Sequence, residues 1–397
     1  MLPGDAVDQD TPEERIAELV DAVKLDPRHR DRLVELLPEQ LSLYAGRSTN
    51  ATVRMRGYIT AAFEHVGLPD AALPYVLEEL ESGNDAYLVA AAASALRGLD
   101  RPTGRLVPFL LKALENMRYV DDAVSFDTYR PRWPLPSYTT ATEEIMRTFA
   151  WLGEAARSAL PALTPWYEDR DALSPPARAT LDAIMTGLRD ADGDGCGCGC
   201  GAEEGLGCCA PPTGPEVTAA SSPPTLAAFP AGVELEDQDG RPLTFGGFFG
   251  GKPSIVVFFY TRCDNPRKCS LTITKLAGLQ RGLRDEGLAG RVQTAAITYD
   301  PGYDLPPRLR AYGQNRGVIF GEGDRFLRTK AGLTALQEYF ALGVNFGQAL
   351  VNRHRIELFL LDHEGRIAGT FTRLQWDIQA VLHRARGLVR PNGTHHP

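Results

Sequence analysis

The chain has 397 residues, 43% apolar and 23% charged, which is long enough for two or three globular domains. Its net charge of -9 argues against a nucleic acid or an anionic membrane as a partner. No apolar run approaches the roughly 20 residues of a membrane span, and the acidic N-terminus lacks the apolar core of a signal peptide. We therefore expect no membrane span and a cytoplasmic location.

The predicted elements of residues 1–190 are all helices. Thr11, Pro12 and Glu14 form a helix-start pattern, and apolar residues then recur at helical spacing. Further on, a glycine that ends one helix is followed three times by a Leu-Pro or Val-Pro helix start, with equivalent prolines at positions 74, 108 and 161. The first two prolines are 34 residues apart, close to the period of helix-pair solenoids.

This pattern resembles HEAT-like repeats over about residues 50–190. The resemblance implies an α-solenoid that docks a protein partner and has no chemistry of its own. An apparent insertion interrupts the pattern at residues 117–140. Its aromatic residues either form a binding surface or hold the loop in place: Tyr129, Trp133 and Tyr138.

Residues 191–229 predict a flexible linker, because Gly, Pro, Ser and Ala dominate and little apolar surface can be buried. Five cysteines lie in this linker: Cys196, Cys198, Cys200, Cys208 and Cys209. Their thiolates could capture a soft ion such as Cu(I) or Zn(II), or exchange disulfides with downstream cysteines. The third interpretation is a low-complexity linker without chemistry.

The next stretch delivers two further cysteines to the start of a helix. Ile255–Tyr260 reads as a buried strand, a polar loop with Cys263 and Cys269 follows, and a helical pattern begins at Leu271. A helix N-terminus and nearby cations lower the pKa of a thiol, so these cysteines are candidate metal ligands or redox nucleophiles. The cations in question are Arg262, Arg267 and Lys268. Five residues separate the cysteines, more than in a CxxC redox motif.

The remaining chain alternates strands and helices, which predicts a thioredoxin-like α/β domain over residues 230–390. The tail, residues 391–397, is expected to be disordered. The predicted elements are a hairpin at 233–243, strands at 292–298, 356–361 and 366–372, and helices at 271–286, 305–313 and 376–389. The predicted fold class is thus multidomain: an all-α solenoid, a Cys/Gly-rich linker and a thioredoxin-like domain.

Four segments of this domain resemble the Sco/SenC copper chaperones: LEDQDGRPLTF, FFYTRC, ITYDPGYDLPPRLRAYGQNRG and VNRHRIELFLLDHEGRI. In that family two cysteines and one distant histidine bind copper, and the resemblance assigns these roles to Cys263, Cys269 and His354. It implies a copper chaperone whose partner receives copper or bears a disulfide. The loop CDNPRKC departs from the family, which usually has three residues between the cysteines.

Alternatives remain beside copper delivery. Cys263 and Cys269 could act as a catalytic pair that cycles between dithiol and disulfide, with His354 modulating the thiol pKa. The chain could also be an interaction scaffold in which the helical repeats bind the partner and the thioredoxin-like domain is degenerate. His363, His395 and His396 are not expected to be ligands of a specific site.

Overall fold

The computed structural model describes residues 6–132, 134–190, 227–347 and 351–389. The chain separates into two compact units, Met1–Glu216 and Val217–Pro397. Within the described residues, no helix combines the length and the hydropathy of a membrane-spanning segment. The five linker cysteines, Trp133 and the C-terminal histidines His395 and His396 lie outside the described residues.

The regular elements in the described part of the first unit are helices, joined by loops that include a β-bridge between Val124 and Thr139, which confirms the helical character predicted from the apolar spacing. The helices are α1 Glu13–Leu25, α2 Asp31–Glu35, α3 Thr49–Val66, α4 Leu73–Ser82, α5 Ala86–Ala95, α6 Val107–Met117, α7 Ala141–Leu152, α8 Leu160–Glu168 and α9 Pro175–Asp190. The three equivalent prolines lie in the first turns of α4, α6 and α8, where a missing amide hydrogen breaks no helix bond. The more specific HEAT-like solenoid stays a prediction.

The core of this unit forms around α5, whose sequence AYLVAAAASA is almost entirely buried. Its small side chains allow close packing against both α3 and α7. Gly98 is needed at a similarly close approach, because a Cβ there would lie 2.0 Å from the carbonyl oxygen of Phe63. In the loop after α6, Tyr129 is buried edge-on against Tyr58, whereas Tyr138 is exposed. Tyr129 therefore holds the loop in place.

The second unit is built on a seven-stranded mixed sheet with the order β2-β1-β5-β4-β3-β8-β9. Its strands are β1 Glu234–Asp237, β2 Pro242–Thr244, β3 Ser254–Phe259, β4 Gln293–Thr298, β5 Asp324–Thr329, β6 Val344–Phe346, β7 Val351–His354, β8 Glu357–Leu361 and β9 Ile367–Thr372. Its helices are α10 Phe245–Phe249, α11 Leu271–Asp285, α12 Pro306–Gln314, α13 Leu333–Phe340 and α14 Ile378–Leu388. This architecture agrees with the predicted thioredoxin-like α/β fold.

Strand β3 is central to the sheet. It pairs in parallel with β4 and antiparallel with β8, and all six of its residues are buried. A strand covered on both faces is continuously apolar, which explains the run SIVVFF. The chain leaves the carboxyl end of β3 directly into the cysteine loop. Strand β5, helices α10 and α13, and the hairpin of β6 and β7 are elements that the sequence analysis did not identify.

Candidate metal centre

The loop after β3 is held by a buried carboxylate. Asp304, which is fully buried, accepts a hydrogen bond from the Thr261 amide at 3.1 Å and further bonds from the hydroxyls of Thr261 and Thr298. Thr261 lies two residues before Cys263, so this anchor determines where the first cysteine leaves the sheet. Burial raises the pKa of the Asp304 carboxyl, and the hydrogen bonds from Thr261 and Thr298 partly oppose that rise.

A π-helical turn, Pro266–Ser270, carries the second cysteine. The Asn265 side chain caps this turn by accepting a hydrogen bond from the Arg267 amide at 2.9 Å. At the end of the turn, the Leu271 amide donates a hydrogen bond to the Pro266 carbonyl. Such a wide turn takes up more residues than an α-turn, so it absorbs the long spacing of the CDNPRKC loop. Cys269 thus lies within a turn that leads into α11, where it is 1% exposed.

The third donor residue is His354, which lies 91 residues after Cys263 and 85 residues after Cys269 in the chain. It is the last residue of β7, pairs with Val344 of β6, and is 5% exposed. Its Nδ1 is 3.0 Å from the Arg355 carbonyl oxygen. A carbonyl only accepts, so Nδ1 carries a proton and Nε2 faces the thiols. Nε2 is 3.6 Å from Cys263 Sγ and 3.4 Å from Cys269 Sγ.

Buried charges and aromatic rings stabilise this position of His354. The Lys268 ammonium donates to the His354 carbonyl at 3.0 Å. Fully buried Glu357 accepts from the Gly343 amide at 3.0 Å and from Arg355 Nε at 2.6 Å, and it also accepts from the Tyr299 hydroxyl. The rings of Tyr260 and Tyr299 lie 5.4 and 5.5 Å from the imidazole.

The three donor atoms lie close enough together to hold one ion. Sγ of both cysteines and a nitrogen of His354 are all within 4.8 Å of one another, and among the described residues no other cluster of potential ligands meets this criterion. Metal–sulfur bonds of about 2.3 Å and metal–nitrogen bonds of about 2.0 Å place donors on a shared ion about 3.5 Å apart. The observed S···N separations agree with that value. Two sulfurs and one imidazole form a soft donor set.

The two thiols differ in environment. A hydrogen bond from Cys269 lowers the pKa of Cys263 to about 3 against the opposing effect of burial, and His354 acts in the same direction. Burial raises the pKa of Cys269 well above its ordinary value, and the neighbouring Cys263 adds to the rise. The pair therefore carries one thiolate, on the more exposed Cys263, and one thiol on Cys269.

Residues 225–390 match the SCO1/SenC family model. The matched region contains Cys263, Cys269 and His354, so the family resemblance inferred from the sequence segments is confirmed for this region. The match does not extend to the helical unit, and comparison with curated proteins gives no match.

Several solved structures are similar to this chain. A SCO1/SenC family lipoprotein from Bacillus anthracis is 21% identical, with a TM-score of 0.35, over 40% of this chain and 92% of its own. Bradyrhizobium japonicum ScoI, solved with copper bound, is 20% identical, with a TM-score of 0.34, over 41% of this chain and 99% of its own. Yeast Sco1, also solved with copper bound, is 21% identical, with a TM-score of 0.31, over 42% of this chain and 95% of its own.

Two other candidates from the sequence, His363 and Arg262, are not among the three donors and contact other side chains. His363 is in the turn between β8 and β9, 3.5 Å from a carboxylate oxygen of Glu364. Arg262 forms an ion pair with Asp300 and stacks over Tyr303 at 3.9 Å, so much of its charge is compensated locally.

The sequence did not identify Glu357 and Tyr299, because only the folded structure brings these two residues close to His354.

Proposed function

We propose that the α/β unit binds one copper ion through Cys263, Cys269 and His354 and acts as a Sco-like metallochaperone. The observation that carries this proposal is the approach of His354 Nε2 to both sulfurs, at 3.6 and 3.4 Å. The SCO1/SenC match over residues 225–390 supports copper over zinc as the ion. The sulfurs favour Cu(I), and the imidazole helps to hold Cu(II).

The burial of the three side chains suggests how such an ion would be delivered. Cys263 is partly exposed, whereas Cys269 and His354 are 1% and 5% exposed. A partner's donor atom would therefore approach from the Cys263 side and replace that thiolate first. Cys269 and His354 would hold the cargo from the buried side until the exchange is complete. The partner would present its own thiolates or imidazoles, because these donors bind the same ion.

Thiol–disulfide exchange is the second activity that we propose for the same cysteines. The Cys263 thiolate would attack one sulfur of a partner disulfide and release the other as a thiolate. Cys269, after losing its proton, would attack Cys263 and release the second partner thiolate. Two electrons then pass to the partner, and Cys263 and Cys269 become a disulfide. The low pKa of Cys263 favours this activity, because the thiolate is the attacking species.

For the helical unit we propose a docking role, as the HEAT-like resemblance implies. Its exposed large side chains near the 117–140 loop support a protein-binding surface: Tyr119, Val120 and Tyr138, with exposures of 88%, 44% and 63%. The alternative, a scaffold with a degenerate α/β unit, predicts that the three candidate ligands bind nothing. The cytoplasmic location, the four-part domain division and metal capture by the linker cysteines stay predictions.

Copper titration of the full chain tests the proposal. To isolate the site, the background is a variant with Ser at Cys196, Cys198, Cys200, Cys208 and Cys209. In this background we expect one Cu(I) per chain, measured by competition with a chromogenic chelator after anaerobic reduction.

Three single changes are then compared with one control. Cys263→Ala, Cys269→Ala and His354→Ala should each weaken binding, the cysteine changes by at least a hundredfold because a two-coordinate thiolate set is lost. His363→Ala is the matched control and should leave the affinity unchanged. Equal affinity in all four variants would refute the metal site.

A further inference from the structure

A row of arginine and tyrosine side chains lies beside the cysteine loop. Arg308 and Tyr312 are four residues apart on α12, which places them on one face of the helix, and Arg316 follows at the same interval just after the helix ends. The Arg316 guanidinium lies over the Tyr312 ring at 3.5 Å. Arg316 Nε donates to the Ser270 hydroxyl at 3.0 Å, and Ser270 is the residue after Cys269. This end of the row therefore contacts the cysteine loop.

The other end of the row contacts the residue before Cys263 through a shared aromatic ring. Arg308 lies over the Tyr303 ring at 3.7 Å, and Arg262 lies over the same ring at 3.9 Å. Arg308 also donates to the Tyr303 carbonyl oxygen at 2.5 Å. Arg262, Tyr303 and Arg308 are exposed. An exposed group of two arginines and one tyrosine therefore adjoins Cys263, the partly exposed ligand.

The charges of this surface are only partly compensated. We call it the basic rim, and its side chains are Arg262, Tyr303, Arg308, Tyr312 and Arg316. Arg262 is paired with Asp300. Within the part of the chain that the structure describes, Arg308 and Arg316 contact hydroxyl, carbonyl and ring groups and form no ion pair. Two arginines thus keep their positive charge at the surface of a chain whose net charge is -9.

The cysteine loop does not cancel this positive charge. Outside the ligands it has one exposed carboxylate, Asp264, and one half-buried guanidinium, Arg267. These two charges are equal in number and opposite in sign. The Cys263 thiolate adds one negative charge, against the two uncompensated arginines of the basic rim. An excess of positive charge therefore remains around the approach to Cys263.

We infer that the basic rim is the docking surface for the partner that exchanges at Cys263, and that this partner presents an acidic surface. The inference rests on the proposed function, because it names what binds at that same site. Arginine and tyrosine are enriched where proteins bind one another and among the residues that contribute most to affinity. Opposite charges around an interface accelerate association and disfavour wrong partners. An acidic partner would thus bring its reactive group to the partly exposed thiolate.

A purely structural role is the alternative for the basic rim. Stacking on the tyrosine rings, with hydrogen bonds from Arg308 and Arg316 to backbone carbonyls, would hold α12 against the cysteine loop without any partner. In that case the charge of a disulfide substrate should not affect how fast it reacts with Cys263. The two roles are therefore distinguished by the charge preference of the reaction.

The test uses three end-blocked peptides that differ only in charge: Glu-Glu-Cys-Glu, Gln-Gln-Cys-Gln and Lys-Lys-Cys-Lys. Each is supplied as a mixed disulfide with 2-thiopyridine and reacts with the full chain in the background without linker cysteines. The Cys263 thiolate attacks the peptide sulfur and releases 2-thiopyridone, whose absorbance gives the second-order rate constant. At low ionic strength we expect the glutamate peptide to react about tenfold faster than the lysine peptide. At about 1 M salt the two rates should be nearly equal.

Three variants assign the preference to the basic rim. The double variant Arg308→Gln, Arg316→Gln should reduce the ratio of the two rates to less than about twofold. Arg308→Lys keeps the charge without the planar guanidinium and should retain most of the preference. Arg384→Gln is the matched control and should leave the ratio unchanged. Arg384 also lies over an aromatic ring, Phe371 of the edge strand β9, and has no ion pair in the described part of the chain.

The outcomes separate the inference from the function on which it rests. If none of the three peptides reacts with Cys263, the proposed exchange fails and the inference fails with it. Reaction of all three peptides at one rate, or an equal loss of preference in Arg384→Gln, would overturn the inference alone. So would a dimer of the full chain, measured by light scattering, that dissociates in the double variant, because the occupant of the basic rim would then be a second copy. The salt dependence of the unmodified protein decides the question even if a variant does not fold.

Discussion

The two units of this protein each bury a polar cluster, and the clusters differ in how their charges are balanced. In the helical unit, Arg97 contacts Glu64 at 2.8 Å and Glu144 at 2.5 Å, and Arg147 forms a second ion pair with Glu144. Two arginines and two glutamates compensate one another. In the α/β unit, Cys263, Cys269 and His354 point their donor atoms at one another.

This difference distinguishes polar groups that are buried to hold the fold together from polar groups that are buried to bind a ligand. The Arg97 cluster is complete, because each charged group has a partner of opposite sign and Thr148 adds a neutral hydrogen bond at 2.9 Å. Such clusters hold helices in register and need no ligand. The cysteine–histidine group gathers lone pairs, which repel unless a proton or a cation lies between them. Convergence of three donor atoms on one point, rather than pairing of opposite charges, marks the cysteine–histidine group as a candidate binding site.

The largest expected effect is on how the alkylation rate of Cys263 depends on pH. Its thiolate is present above the lowered pKa of about 3 and is lost only as the pH falls through that value. Alkylation by iodoacetamide, followed by site-resolved mass spectrometry, should therefore proceed at a nearly constant rate from pH 8 to pH 5. An ordinary thiol slows about tenfold per pH unit, or about a thousandfold over this range.

The control for this profile is Cys269→Ala, which removes the hydrogen bond that contributes most to the low pKa. In that variant we expect the alkylation rate of Cys263 to depend on pH more steeply. If the alkylation rate of Cys263 in the unmodified protein fell tenfold per pH unit, Cys263 would be an ordinary thiol. The two buried clusters would then not differ in charge balance.

A second change tests the completeness of the helical cluster. Arg97→Met leaves Glu144, whose side chain is 4% exposed, with the partly exposed Arg147 as its remaining ion-pair partner. Removing one member of a buried ion pair typically costs about 3 kcal/mol or more, because the other charge stays buried. Amide hydrogen exchange in α3, α5 and α7 should therefore reveal an opening free energy lower by about that amount.

The comparison for that variant is a surface ion pair in the same unit. Lys112 and Glu115 are 45% and 68% exposed, and Lys112→Met should change the opening free energy by less than about 0.5 kcal/mol. Similar effects of Arg97→Met and Lys112→Met would show that the buried cluster contributes no more than a solvated pair.

The smallest effect involves Asp304, a buried carboxyl whose observed donors are neutral hydroxyl and amide groups of Thr261 and Thr298. Its folded pKa is raised by burial, so its contribution to stability is fully present below the ordinary value and decreases as the pH rises through the raised pKa. Asp304→Asn should cost about 1 kcal/mol at pH 4 and less at pH 7, measured by urea unfolding.

The matched control is the exposed Asp285 at the end of α11. Asp285→Asn should change the unfolding free energy by less than about 0.5 kcal/mol, because the side chain is exposed. A cost of Asp304→Asn that grows with pH would contradict the direction of the pKa shift.

Much of the α/β unit was predictable because its signals are local. The apolar run of β3, the turn residues between β8 and β9, and the periodicity of α11 depend on a few neighbouring residues. Strand β5 was missed because its sequence, DRFLRT, contains charged residues that are unusual in a buried strand. Their partners on β1 are brought close only in the folded sheet: Arg325 pairs with Asp237 and Arg328 with Glu236. The short strands β6 and β7 carry few apolar residues and depend on each other for pairing.

The sequence by itself determined the two cysteines, the helical and α/β composition of the two units, and the family resemblance that selected His354. Only the tertiary structure decided that His354 Nε2 lies within 3.6 Å of both sulfurs, because strand pairing brings together residues 85 and 91 positions apart. It also decided that the longer cysteine loop forms a π-helical turn and buries Lys268. Residue type and local spacing are encoded along the chain, whereas burial and the direction of a side chain depend on which distant strands pair.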